Sequence, residues 1–179
     1  MEDVTVGADG TGFGESDTAV PAPGSPPAGK PALLVSACLL GVDCNYRQGH
    51  SLRRSVADLA ENFDLVPVCP EVAGGLPVPR PAAEISGDGR VLTADGRDVT
   101  DAYRVGARKA VELANERGVV GAVLKARSPS CGPHDVYDGT HSGTLVQGQG
   151  VTAAALGAVG YRVLDEDDVA NGRLPDPDR

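Results

Sequence analysis

Apolar runs of strand length alternate with stretches of helical spacing along most of this chain, and three of those runs stop just short of a cysteine. The runs are Ala32–Val35, Phe63–Val68 and Val119–Leu124; the cysteines are Cys38, Cys69 and Cys131. Leu52, Val56, Leu59 and Phe63 recur at the spacing of one helix face over Ser51–Asn62. A longer helix is predicted from Thr100, as its N-cap, to about Arg117, with Val105, Ala110, Val111 and Leu113 as its apolar positions and Gly118 as its stop. Thr152–Ala158 reads as a short helix and Tyr161–Leu164 as a last strand. This alternation predicts an α/β fold: a single Rossmann-like domain with a parallel central sheet flanked by helices. A small β-hairpin is expected over Ile85–Arg97, turning at Gly87-Asp88-Gly89. Pro70–Glu84 is too rich in proline for a regular element, and Arg127–Gly150 reads as a long Gly/Ser/Pro loop of the kind that carries function. Parallel strands present their carboxyl ends on one edge, where ligands of open α/β sheets bind. The topology therefore draws three thiols that are distant in sequence to one place.

Charge and composition divide the chain into parts. Residues 1–30 carry five acids and one base among Gly, Pro, Ser and Thr, and read as a disordered tail. Residues 167–179 read as an acidic C-terminal tail, which leaves 31–166 as the folded domain. Of the net charge of −9, only −1 falls on residues 31–164. That region has no basic stripe, so a nucleic-acid polymer is not expected as a partner, and a small, weakly charged molecule is. No apolar run approaches the roughly 20 residues needed to span a membrane, and the N-terminus lacks the basic and apolar segments of a signal peptide. These features point to the cytoplasm, where cysteines serve as ligands or catalytic groups more often than as disulfides.

Three converging thiolates are a soft donor set suited to an iron–sulfur cluster or to zinc, with one coordination position left open. None of the cysteines forms Cys-x-x-Cys, so zinc-ribbon, thioredoxin and ferredoxin-type runs are absent. A sulfide or iron–sulfur carrier or sensor module without turnover, and a zinc-bound structural or hydrolytic site, are the competing readings. Glu71, two residues past Cys69, would sit beside the site as a general acid/base or pair with Arg80. Ser128, three residues before Cys131, would hold substrate, relay a proton or cap a turn. Lys125 and Arg127 follow the third strand, either to neutralise cluster charge or hold an anion or as solvated rim charges; Glu84 is a second structural partner open to Arg80; and His50, His134 and His141 read as surface histidines.

The motifs SACLLG, VCPEVAGGLPVPRPAAEI, DVTDAYRVGA, LKARSPSCG, DGTHSG and GQGVTAAAL occur in that order across about residues 32–166. Together they resemble the domain-of-unknown-function family that includes the thiouracil desulfidases. The resemblance implies a [4Fe-4S] cluster held by Cys38, Cys69 and Cys131. It implies a substrate sulfur bound at the fourth iron, and non-redox desulfuration of a thiolated base such as thiouracil to uracil and sulfide. It assigns Glu71 as the acid/base carboxylate and Ser128 as the catalytic serine, and leaves Cys44 outside the ligand set. Two departures fall on the substrate side: Tyr46-Arg-Gln-Gly49 replaces a Tyr-Asp-Gly-like turn, and His141 stands where an aromatic is common.

Overall fold

In a computed structural model, residues 29–178 are described; the predicted disorder of residues 1–28 lies outside them. Four parallel strands form the central sheet in the order β2-β1-β5-β8: β1 is Ala32–Ser36, β2 Asp64–Val68, β5 Ala122–Leu124 and β8 Val163–Asp165. β1 lies between β2 and β5, pairing Ser36 with Val68 and Val35 with Val123. Leu33, Leu34 and Val35 are fully buried, so β1 is a continuous apolar run, as a strand covered on both faces must be.

Leu34, Val66, Val68 and Leu124 pack on one face of the sheet against Ala110 and Ala114 of α3 (Thr100–Arg117) and Leu156 of α4 (Val151–Ala158). Leu33, Val35 and Val123 pack on the other face against Val56 of α1 (Arg54–Ala57), Leu59 and Phe63, and Val169 of α5 (Glu166–Ala170). Each fully buried Leu or Val contributes roughly 1.5–3 kcal/mol relative to exposure. This is the three-layer α/β architecture that the alternation predicts.

Several elements differ in detail from the sequence expectations. α3 begins at Thr100 with Val99 at the N-cap position, so Thr100 is the first helical residue and not the cap; its amide donates to Asp98 Oδ1 at 2.9 Å. Its buried face is Tyr103, Gly106, Ala107, Ala110 and Ala114, while Val105, Val111 and Leu113 flank it half-buried. Small residues take that face because the next element comes very close. Pro70–Ala73, expected to be irregular, is a one-turn helix, α2, with proline at its first position. A Cβ on Gly106 would stand 2.0 Å from the Pro70 carbonyl oxygen, and one on Gly74 would stand 2.1 Å from that of Ala102. Only glycine lets α2 and α3 touch backbone to backbone. Leu52 lies before α1 and is exposed.

The hairpin expected over Ile85–Arg97 is β3 (Ala83–Ile85) paired with β4 (Val91–Thr93). The long loop of 127–150 contains a second hairpin, β6 (Asp135–Tyr137) with β7 (Leu145–Gln147). Three-residue strands carry too little periodicity to stand out against the Gly/Ser/Pro background. α5 runs past residue 166, where the sequence places the start of an acidic tail, and buries Asp168 and Val169. None of the described helices is long and apolar enough to cross a membrane.

Candidate active site

Strand ends build one wall of a cavity of about 610 Å³ at the carboxyl edge of the sheet. Cys38 follows β1 in a 3-10 turn, Ala37–Leu40, that closes at Gly41. Cys69 follows β2 directly and leads into α2. Cys131 lies on the loop after β5. All three line the cavity, and so does Cys44. The four are free thiols.

The surroundings of Cys44, Cys69 and Cys131 favour their protonated forms. The hydrogen bond from Cys44 to the Cys38 thiol pushes Cys44 up to about 11. Its hydrogen bond with Cys44, and then burial, raise the Cys69 thiol well above its usual value. Burial pushes Cys131 up to about 12. Binding a soft metal centre here must therefore release protons, as thiolate ligation generally does.

The donor set is soft sulfur, as an iron–sulfur centre requires. Its spacing bears on the zinc reading. A tetrahedral zinc with Zn–S near 2.3 Å places its sulfurs about 3.8 Å apart. Among the described residues, no three of these thiols lie within 4.8 Å of one another; the one such trio of candidate ligand atoms is His134, Asp165 and Asp168. As they stand, no three of the thiols are gathered at the spacing that one zinc ion would impose. The His134 trio is a helix cap: Asp165 accepts from the Asp167 and Asp168 amides, and Asp168 bonds His134 at 2.7 Å and Arg173 at 2.9 Å.

Glu71 and Ser128 reach the same cavity. The ion pair of Glu71 with Arg80, one of the two sequence alternatives, is formed: Arg80 Nε donates to Oε2 at 2.6 Å. Arg80 also donates to the Cys44 carbonyl at 3.1 Å and the Pro77 carbonyl at 3.2 Å. It therefore ties the Cys44 loop to the segment after Cys69 while leaving Glu71 Oε1 outside the pair. Ser128 caps a turn, again one of the two alternatives. Its Oγ accepts from the Ser130 and Cys131 amides, both at 3.1 Å, which fixes the cysteine loop and leaves the hydroxyl proton free to donate. The far side of that loop is held by the Thr152 amide on the Ser130 carbonyl and by a buried Ser130–Thr152 hydroxyl contact of 2.9 Å.

Lys125 and Arg127 are not free rim charges. Lys125 pairs with buried Glu166 and Arg127 with Asp167, both on α5. Arg80 and Glu84 do not pair with each other. Glu84, buried on β3, accepts instead from the Gly139 amide at 3.1 Å and the His141 amide at 2.9 Å, folding the 138–143 loop over the cavity. His141 Nδ1 lies 3.6 Å from the same carboxylate, and His141 lines the cavity with Tyr46 and Tyr137. Sequence reasoning missed this use of Glu84, and it missed Tyr103, which lines the cavity from α3. The available signal was a lone tyrosine on a helix face otherwise made of Gly and Ala.

The sequence matches the 2-thiouracil desulfurase family over residues 33–168. It is 40% identical over 146 residues to the uncharacterized protein YbbK of Bacillus subtilis (strain 168), a match covering 76% of this chain and 97% of that protein. Among solved structures, the fold is similar to that of the [4Fe-4S]-dependent thiouracil desulfidase TudS. The TM-score is 0.73 at 39% identity, covering 79% of this chain and 95% of the other.

Proposed function

This chain belongs to the 2-thiouracil desulfurase family, and on that basis we propose that it is a [4Fe-4S]-dependent enzyme that converts a thiolated uracil to uracil and sulfide. The observation that carries the reading is the convergence of three strand-end thiols with the Glu71 carboxylate and the Ser128 hydroxyl on a single cavity. Cys38, Cys69 and Cys131 would hold the cluster, which when bound supplies a soft Lewis-acidic iron with an open position suited to a thiocarbonyl sulfur.

The protein's own groups handle protons and orientation. The overall change is C=S plus water to C=O plus hydrogen sulfide, with no net oxidation. Arg80 holds Glu71 Oε2, so Oε1 takes the proton of the water that attacks the carbon bearing sulfur and later returns it to the departing sulfide. Ser128 donates a hydrogen bond from its free hydroxyl to an acceptor on the pyrimidine ring and so orients the ring against Glu71. The 138–143 loop, held by Glu84, covers the ring and excludes bulk water.

Anaerobic purification, iron and acid-labile sulfide analysis, and a sulfide-release assay on 2-thiouracil and 4-thiouracil test this reading together. It expects about four irons and four sulfides per chain, sulfide release from a thiouracil, and a Glu71→Gln variant that keeps its cluster but turns over about 10²–10⁴-fold more slowly. A full cluster with no turnover on thiolated uracils would leave a carrier or sensor. One equivalent of zinc without sulfide would end the cluster reading.

A further inference from the structure

Tyr103 is buried on the cavity wall, and neither the ligand set nor the Glu71 and Ser128 roles make use of it. Backbone geometry brings it to Glu71. The Pro70 carbonyl lies against Gly106, and the Ala102 carbonyl against Gly74, closer than any Cβ would permit. Glu71 is the next residue after Pro70, and Tyr103 is the next after Ala102, one turn before Gly106 on the same face of α3. Both side chains line the one cavity, and the Glu71 carboxylate is near enough to raise the phenol. Arg80 already grips Oε2 from the opposite end of the segment after Cys69. One guanidinium bond through Nε leaves the carboxylate able to swing about its side-chain torsions, whereas a second donor from a rigid helix would stop that motion.

We infer that Tyr103 is a positioning residue: its hydroxyl donates to the Glu71 carboxylate from α3, and with Arg80 it fixes the free carboxylate oxygen toward the substrate. Burial, and then the Glu71 charge, hold the phenol well above its usual range, so it remains a donor across the working pH. Hydrogen bonds of this kind are commonly loose before substrate binds and tighten in the loaded site. The inference rests on the proton role of Glu71 proposed above.

A double-mutant cycle on the cluster-loaded enzyme tests it. Tyr103→Phe keeps the ring and removes only the hydroxyl. It is expected to lower kcat about tenfold with KM within about twofold, with iron and sulfide content unchanged and a melting shift of no more than about 4 °C. In a Glu71→Gln background the same change should cost nothing further. Unchanged kcat in Tyr103→Phe would overturn the inference. So would loss of iron, which would make the hydroxyl part of the cluster site. A tenfold loss that persists in an already impaired Glu71→Gln background would overturn it alone, leaving the Glu71 role standing. A Glu71→Gln enzyme as fast as the unaltered protein would remove the Glu71 role itself, and the inference with it.

Discussion

The two walls of the cavity are held by different physics. The strand-end wall, with Cys38, Cys69 and Cys131, hangs from parallel pairing between β2, β1 and β5, of which β1 and β5 are almost wholly buried. Its loops are cross-tied in addition: the Ser36 hydroxyl accepts from the Lys125 amide at 2.9 Å, and Ser128 and Thr152 brace the turn of Cys131. The hairpin wall, with Tyr137 and His141, rests on three-residue strands, and β7 is exposed throughout. A single buried carboxylate, Glu84, gathers its covering loop through two amides. The site proposed for the cluster is thus built into the sheet itself. The side proposed to face the substrate is tied to the core chiefly through Glu84 and can be retuned without disturbing it.

The largest contrast lies within the strand-end wall, between two thiols that are both buried. Cys131→Ala should lose nearly all cluster iron and all turnover, since a cluster bound by three thiolates cannot spare one. Cys44→Ala should retain iron and most activity, because Cys44 lies on the loop between Cys38 and α1 and not at a strand end. Iron per chain after anaerobic reconstitution decides this. Equal loss in both variants would place Cys44 among the ligands.

The strand-end wall was also the legible one. Cys38, Cys69 and Cys131 could be assembled from sequence because strand runs are continuous and apolar, and parallel topology then dictates where their ends meet. The hairpin wall was read as loop, because β6 and β7 lack a periodic pattern and their fold depends on a side chain some 55 positions away, the reach from Glu84 to Gly139. For the same reason Arg80 could be paired with either Glu71 or Glu84 on paper. Which carboxylate it meets is set by the tight approach of α2 to α3, and hence by glycines at 74 and 106 whose packing role carries no hydropathy signal. α5 was hidden by its acidity: Asp167 and Asp168 read as the start of a solvated tail, but Asp168 closes a capping box with Asp165, and Glu166 beside them anchors Lys125.

The next effect sharpens the difference between the walls. Glu84→Ala leaves the Gly139 and His141 amides without their acceptor, so the 138–143 loop should loosen. Each bond to a charged acceptor is worth about 1.5–3 kcal/mol, and we expect KM for a thiouracil to rise about tenfold or more while iron content stays full. Steady-state kinetics with parallel iron analysis reads both. Iron loss in this variant would mean that the hairpins also support the thiols, and the separation of the two walls would fail.

The smallest effect probes how α5 supports the strand-end wall from outside. Glu166 accepts from the Ala126 amide at 2.7 Å and pairs with Lys125, so the start of α5 is fastened to the loop after β5. The helix is in turn closed by the Asp165–Asp168 capping box. Burial alone would raise the Asp168 carboxyl. The hydrogen bonds from His134 and the Asp165 amide, with the charges of His134 and Arg173, outweigh it and hold the group below the usual carboxylate range. A carboxylate depressed in the folded state adds stability above its unfolded pKa and loses it as pH falls through the folded value. Burial, and then the Asp168 charge, raise Asp165, which works in the opposite sense. Comparing Asp168→Asn with the unaltered chain isolates the first contribution. Denaturant melts should show the variant about 1 kcal/mol less stable at pH 7, with the gap closing below about pH 4 as the carboxylate takes up its proton. A gap that stays constant with pH would mean that Asp168 acts through shape and not through charge. α5 would then brace the cysteine loop by packing alone.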